Sequence, residues 1–194
     1  MYNIILDKLP NEYMGYLIRS DFRIGIQLSV CLSDVDLSEE ERIINALLLL
    51  FGNGMPPFEI AYKGLIWFLS CGQKMGVEDK DNDDLESYYA SSDSNKVETL
   101  SFEQDIVLIY SAFRRTFNID LAKSSMHWFE FNALLNDIGE CSLSNIIQIR
   151  TTKQSDIPKD KKAEFARLKR KYEIKKKVSQ EELAEKEKWS QIFN

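Results

Sequence analysis

Four stretches carry residue types at spacings that could support chemistry: the lone His127, the triplet Asp79, Asp81 and Asp83, the glycine-bearing 71–76, and the basic run 159–177. His127 is the only histidine, so no metal cluster or proton relay can draw on several imidazoles. It stands beside Trp128 on an apolar stripe, where an imidazole ordinarily bonds backbone or a carboxylate; a structural role outweighs a catalytic one. Asp79, Asp81 and Asp83 occupy positions one, three and five of a calcium-loop pattern, but Asp84 stands where glycine is required and Ala90 where a bidentate carboxylate must be. A solvated acidic loop is the better reading. Cys71-Gly72-Gln73-Lys74-Met75-Gly76 meets neither phosphate-binding glycine pattern. Cys31, Cys71 and Cys141 are far apart, odd in number and set in apolar surroundings, as expected of buried reduced thiols. The expectation is a protein that is not an enzyme and uses no cofactor and no metal.

The basic run admits two readings. Lys161, Lys162, Arg167, Lys169, Arg170 and Lys171 could neutralise nucleic-acid phosphates. Phe165, Leu168 and Tyr172, however, thread the run at helical spacing, and a net acidic body repels DNA; a packed helix with a solvated cationic face is preferred, and nucleic acid is not the expected partner. Ser179-Gln180-Glu181-Glu182 is a capping box before Leu183, Trp189, Ile192 and Phe193, an amphipathic end suited to docking a protein. Phe165, Leu168, Tyr172, Trp189 and Phe193 are therefore the candidate partner-binding residues.

These groups need a scaffold, and 101–138 supplies its centre. Ile106, Ile109, Tyr110, Phe113 and Phe117 recur on one side of a 3.6-residue helix, and Met126-His127-Trp128 leads into a second stripe of Phe131, Leu134, Leu135 and Ile138. Asn118-Ile119-Asp120-Leu121 reads as a turn between them. The spacing predicts an antiparallel helix hairpin that packs its aromatic faces together, with Ile109, Tyr110, Phe113, Trp128, Phe131 and Leu135 as core.

The remaining elements are arranged around it. Residues 2–19 read as a small β-hairpin turning at Lys8-Leu9-Pro10-Asn11-Glu12. In 21–33, Phe22, Ile24, Ile26, Leu28, Val30 and Leu32 alternate with other residues, the period of a strand, although Asp21 is a good helix N-cap. Ser38-Glu39-Glu40-Glu41 is a capping box opening a helix with Ile43, Ile44, Leu47, Leu48 and Phe51, ended by Gly52-Asn53-Gly54. Phe58, Ala61, Tyr62, Leu65, Phe68 and Leu69 form the next stripe, apolar nearly all round and so central. Ser142 is a candidate cap for a short helix through Ile146, Ile147 and Ile149.

The 194 residues suit one helical domain, 1–157, and a charged helical extension, 158–194. Apolar and aromatic contents of 44 % and 11 % are those of a folded chain. The net charge of −6 hides a split: 73–105 carries ten acids against three lysines, and 159–177 ten bases against three acids. The 73–100 part is a long acidic loop. The longest apolar run, 46–51, is far below the ~20 residues of a membrane span, and no basic region followed by an apolar stretch opens the chain; the expected location is cytoplasmic, with no membrane contact.

Asp21-Phe22-Arg23, Leu65-Ile66-Trp67-Phe68 with Cys71-Gly72, Asp105 with Ile109-Tyr110-Ser111-Ala112-Phe113, Ile119-Asp120-Leu121, and above all His127-Trp128 followed by Phe131, Leu134 and Leu135 form a recognisable set. With Arg150 and the stretch from Asp160-Lys161-Lys162 to Leu168-Lys169, the chain resembles the bacteriophage gene product fifteen family, over roughly 1–172. The resemblance implies that 21–34 is a helix, with Gly25, where the family has a bulky residue, making it the weakest of the set. It also implies a function by gene order: such genes lie between tail tube and tape-measure genes, the place of tail assembly chaperones acting in the host cytoplasm. The implied partner is a tape-measure or tail tube protein; a homo-oligomer is compatible with it. The alternatives are a structural component kept in the tail or connector, and nucleic-acid binding through the basic helix.

Overall fold

The structure, a computed structural model, describes residues 4–73, 99–175 and 177. Among the described residues the fold is mainly α: β1 (Glu12–Tyr13), β2 (Tyr16–Leu17), α1 (Phe22–Leu32), α2 (Glu39–Phe51), α3 (Phe58–Leu69), α4 (Ile106–Thr116), α5 (Trp128–Asn136), α6 (Ser142–Thr151) and α7 (Lys162–Tyr172). Nearly all of the acidic loop, the second capping box, Trp189 and Phe193 lie outside the described residues.

The β-hairpin exists, but later in the chain than expected. Its turn is Met14-Gly15, both at positive φ (48° and 83°), which is the backbone of a tight two-residue hairpin turn. Pro10 and its neighbours stay outside the strands.

Residues 22–32 form a helix, not the strand their alternation favours. Asp21 accepts the Arg23 N–H at 2.9 Å, and Phe22, Gly25, Leu28 and Leu32 are the buried positions, a spacing of three, three and four. Strict alternation over eleven residues puts an apolar side chain on every side of a helix, so Ile24 and Ile26 pack at the margin of the core. Gly25 is a requirement of this packing: a Cβ there would lie 2.1 Å from Cε3 of Trp128.

The capping box of α2 forms as read: Ser38 N–H donates to Glu41 at 2.9 Å, and Glu41 N–H donates back to the Ser38 hydroxyl at 3.3 Å. The buried face is rotated from the stripe read in sequence. Ala46, Leu47, Leu50 and Phe51 are buried, while Ile44 and Leu48 are 51 % and 46 % exposed. α2 and α3 meet at a bend of 105°, and among the described residues no single helix is long and apolar enough to cross a membrane. On α3, Ala61, Gly64, Leu65, Phe68 and Leu69 are buried, whereas Phe58 is 59 % exposed.

The two helices of the central hairpin meet through rings. Phe131 of α5 lies between Phe113 of α4 and Phe22 of α1, each pair stacked at 5.0 Å, and Trp128 stacks on Phe131 at 5.7 Å. The backbone neighbours differ: α1 lies along α5, and α6 along α4. The joint is also longer than a four-residue turn, spanning 117–127. Of the six expected core residues, Ile109, Phe113, Trp128 and Phe131 are buried and Leu135 packs at the margin. Tyr110 is not core: it is 38 % exposed and its hydroxyl donates to Asp120 at 3.3 Å. A helix of this length buries only a stripe, and Ile109, Ala112 and Phe113 fill it.

Candidate functional site

The resemblance-bearing residues converge on two polar structures. In the first, Asp21 and His127 face each other across an isolated antiparallel bridge. Phe22 N–H donates to Met126 O at 2.9 Å and Trp128 N–H to Ser20 O at 2.8 Å. Each bridge residue caps the helix that follows it, so α1 and α5 start side by side. His127 Nδ1 accepts the Phe129 N–H at 3.0 Å. The proton is then on Nε2, which donates to Pro10 O at 2.8 Å. Burial pushes the His127 pKa down, against the opposing pull of the Pro10 carbonyl and Glu130. The ring is held neutral, with both nitrogens occupied by backbone.

Arg23 ties the long joint to this bridge. Its Nη2 donates to Leu121 O at 2.8 Å and Ser124 O at 2.9 Å, and Nη1 reaches the Asp21 carboxylate at 3.3 Å. Asp120 closes the same joint by accepting the Ala122 N–H at 3.1 Å. Thus Asp21-Phe22-Arg23, Ile119-Asp120-Leu121 and His127-Trp128 are parts of one frame that aims Phe22, Trp128 and Phe131 at one another.

The second structure is a buried ion pair. Arg150 of α6 and Asp105 at the head of α4 are 5 % and 3 % exposed. The guanidinium binds the carboxylate bidentately, at 2.6 Å through Nη1 and 2.9 Å through Nη2. Its other donors reach Thr99 O at 3.1 Å and, through Nε, Tyr172 O at 2.6 Å. Asp105 also accepts the Ser101 N–H at 3.0 Å. Burial alone would raise the carboxyl, but the Arg150 hydrogen bonds, the Ser101 N–H and the cationic charge together hold it below its ordinary value. Ser101, which the sequence offers as the cap of the central hairpin, accepts the Gln104 N–H at 3.3 Å and so serves the turn before α4 rather than its first residue. The cap of α6 differs from the sequence reading as well: Cys141 occupies the cap position, and its N–H donates to the Ser144 hydroxyl at 2.9 Å.

A groove of about 330 Å³ is lined by Leu69, Ser70, Cys71, Phe129, Asn132 and Asn136, among others. Burial pushes the Cys71 thiol up to about 11, so at neutral pH it is protonated and a poor nucleophile. All three cysteines are free, but of the three expected to be buried only Cys141 is; Cys31 and Cys71, near the ends of their helices, are half-buried. Among the described residues no three metal-capable side chains come together. The candidate partner residues Phe165, Leu168 and Tyr172 are half-buried on α7, which packs on α6 and has no fully buried residue.

Among the described residues this is a small helical domain built on a stacked aromatic core, in which Asp21, Arg23, His127, Asp105 and Arg150 cap helices and tie loops. The family it belongs to is Bacteriophage Gp15 protein, whose pattern matches residues 5–174. That membership makes it a bacteriophage protein and points to phage structure or morphogenesis. Among curated proteins and solved structures, nothing matches.

Asp105, Arg150, Asp21 and Arg23 are recognisable in the sequence as members of a family pattern, but their spacing does not disclose their roles. The signal for the buried pair was weak but present: an arginine inside an otherwise apolar helix stripe beside Ile146, Ile147 and Ile149.

Proposed function

We propose that this protein is a non-catalytic tail assembly chaperone that holds segments of the tape-measure protein soluble in the host cytoplasm while tail tube subunits assemble. The observation that carries the reading is membership of the phage family across 5–174, together with the gene order the family resemblance implies. The surface is compatible with it. Ile44 and Leu48 stand one turn apart on α2 and are half-exposed, Phe58 is exposed at the head of α3, and Val107 is 73 % exposed on α4. Exposed apolar side chains on rigid helices are what an amphipathic helical client needs. Binding of this kind calls for no reacting group, cofactor or metal.

Co-expression with the cognate tape-measure protein tests the reading. The soluble fraction of the tape-measure protein should rise, and the two should co-purify. An unchanged soluble fraction with no complex contradicts it. The acidic balance and the use of α7 for packing disfavour nucleic-acid binding, which predicts an affinity falling steeply with salt.

A further inference from the structure

Beyond Tyr172 the chain leaves α7 extended, with Glu173 at φ −58° and ψ 136°, and is fastened at three successive points. Arg150 Nε, on a buried guanidinium, donates to Tyr172 O at 2.6 Å. The Gln104 side chain then brackets a single residue: Nε2 donates to Lys175 O at 2.7 Å, and Lys175 N–H donates to Oε1 at 3.1 Å. Lys177 Nζ lies 2.7 Å from Glu103 Oε1, and Asp34 and Asp36 add to the negative field around it.

A primary amide that donates to and accepts from one residue's backbone copies the two bonds of a hydrogen-bonded β pair. It reads an extended backbone without reading the side chain. Selectivity then falls to the carboxylate at Glu103, which takes a cation two positions further on.

We propose that Arg150, Gln104 and Glu103 form a recognition seat for an extended protein segment bearing a lysine two residues past the bracketed position. The chain's own Tyr172, Lys175 and Lys177 fill it as a self-ligand that a partner segment of the same chemistry replaces. Exchange is open to it because Gln104, Glu173, Lys175 and Lys177 are all exposed and α7 has no fully buried residue. The seat is defined by bonds within this chain and does not rest on the chaperone reading.

The test uses the full-length chain carrying Lys175→Pro, which removes the N–H that Gln104 accepts and leaves the seat residues intact. A labelled peptide of residues 172–178 is titrated at low salt by fluorescence anisotropy. It should bind the variant about tenfold more tightly than the unaltered protein, whose seat is filled. Adding Gln104→Ala or Glu103→Lys to the variant should remove that gain, as should a peptide with glutamate at the position of Lys177. In a second measurement, Gln104→Ala alone should speed amide exchange at Lys175 by about tenfold. Equal peptide binding by variant and unaltered protein, indifference to Gln104→Ala, or unchanged Lys175 exchange overturns the proposal.

Discussion

Replacing Arg150 by methionine keeps most of the side chain's volume and removes all of its donors. The change deletes a bidentate pair at 2.6 and 2.9 Å and the bonds to Tyr172 O and Thr99 O. Asp105, 3 % exposed, is left with the Ser101 N–H. With charge centres about 4 Å apart and an effective dielectric of about 20, the lost attraction is about 4 kcal/mol. Mutational experience with stranded buried charges gives about 3–5 kcal/mol. Domains are stable by about 5–15 kcal/mol, so the variant should lose a large part of its total. At about 2–4 °C per kcal/mol for a chain of this size, the melting temperature should fall by roughly 6–20 °C. Urea unfolding followed by circular dichroism measures the loss directly. The companion variant Arg150→Met/Asp105→Leu removes the stranded charge and should recover at least about 2 kcal/mol of it. A single-variant loss below about 1 kcal/mol, or a double variant whose cost is the sum of its parts, refutes the reasoning. Because Arg150 also holds Tyr172 O, trypsin should cut the basic α7 faster in the single variant than in the unaltered protein.

Three further outcomes follow from the same geometry. Gly25→Ala should destabilise by about 1–3 kcal/mol in urea unfolding, despite alanine's better helix propensity, because its Cβ would meet the Trp128 indole at 2.1 Å. Phe113→Ala should cost about 3–5 kcal/mol, since a fully buried ring stacked on Phe131 leaves a cavity. His127 has a folded pKa below its ordinary 6.5, so the unfolded chain binds the extra proton first. Its contribution is complete above pH 6.5 and is lost as pH falls through the folded value; His127→Asn, which retains a capping oxygen, should flatten that part of the stability profile against pH.

Some local signals are legible in the sequence, although the hairpin turn falls at Met14-Gly15 rather than 8–12 and the α6 cap at Cys141 rather than Ser142; contacts between distant segments are not. The α2 capping box needs only Ser38 and Glu41, three residues apart, and it forms as written. The face α2 buries depends on how it lies on α1 and α3, and both Ile44 and Leu48 belong to the apolar stripe yet stay half-exposed. In α1 the alternation favoured a strand, and the family resemblance pointed to the helix that is present. Gly25 was expected to weaken that helix, but its missing side chain is filled by Trp128 from a helix a hundred residues away. No spacing rule announces such a contact. The same holds for Asp105 and Arg150, which sit 45 positions apart and become partners only when α4 and α6 pack. Tyr110 shares an apolar stripe with Ile109 and Phe113, but α4 turns Ile109, Ala112 and Phe113 inward and leaves both Ile106 and Tyr110 exposed.

The chaperone account is tested most directly by quantitative mass spectrometry of two samples from one infection: tail assembly intermediates captured through the tape-measure protein, and purified virions. A chaperone should be found among the captured intermediates and be absent from finished particles. Its presence in virions at a fixed stoichiometry, with none on the captured tape-measure protein, would contradict the account and assign the protein to the tail structure itself.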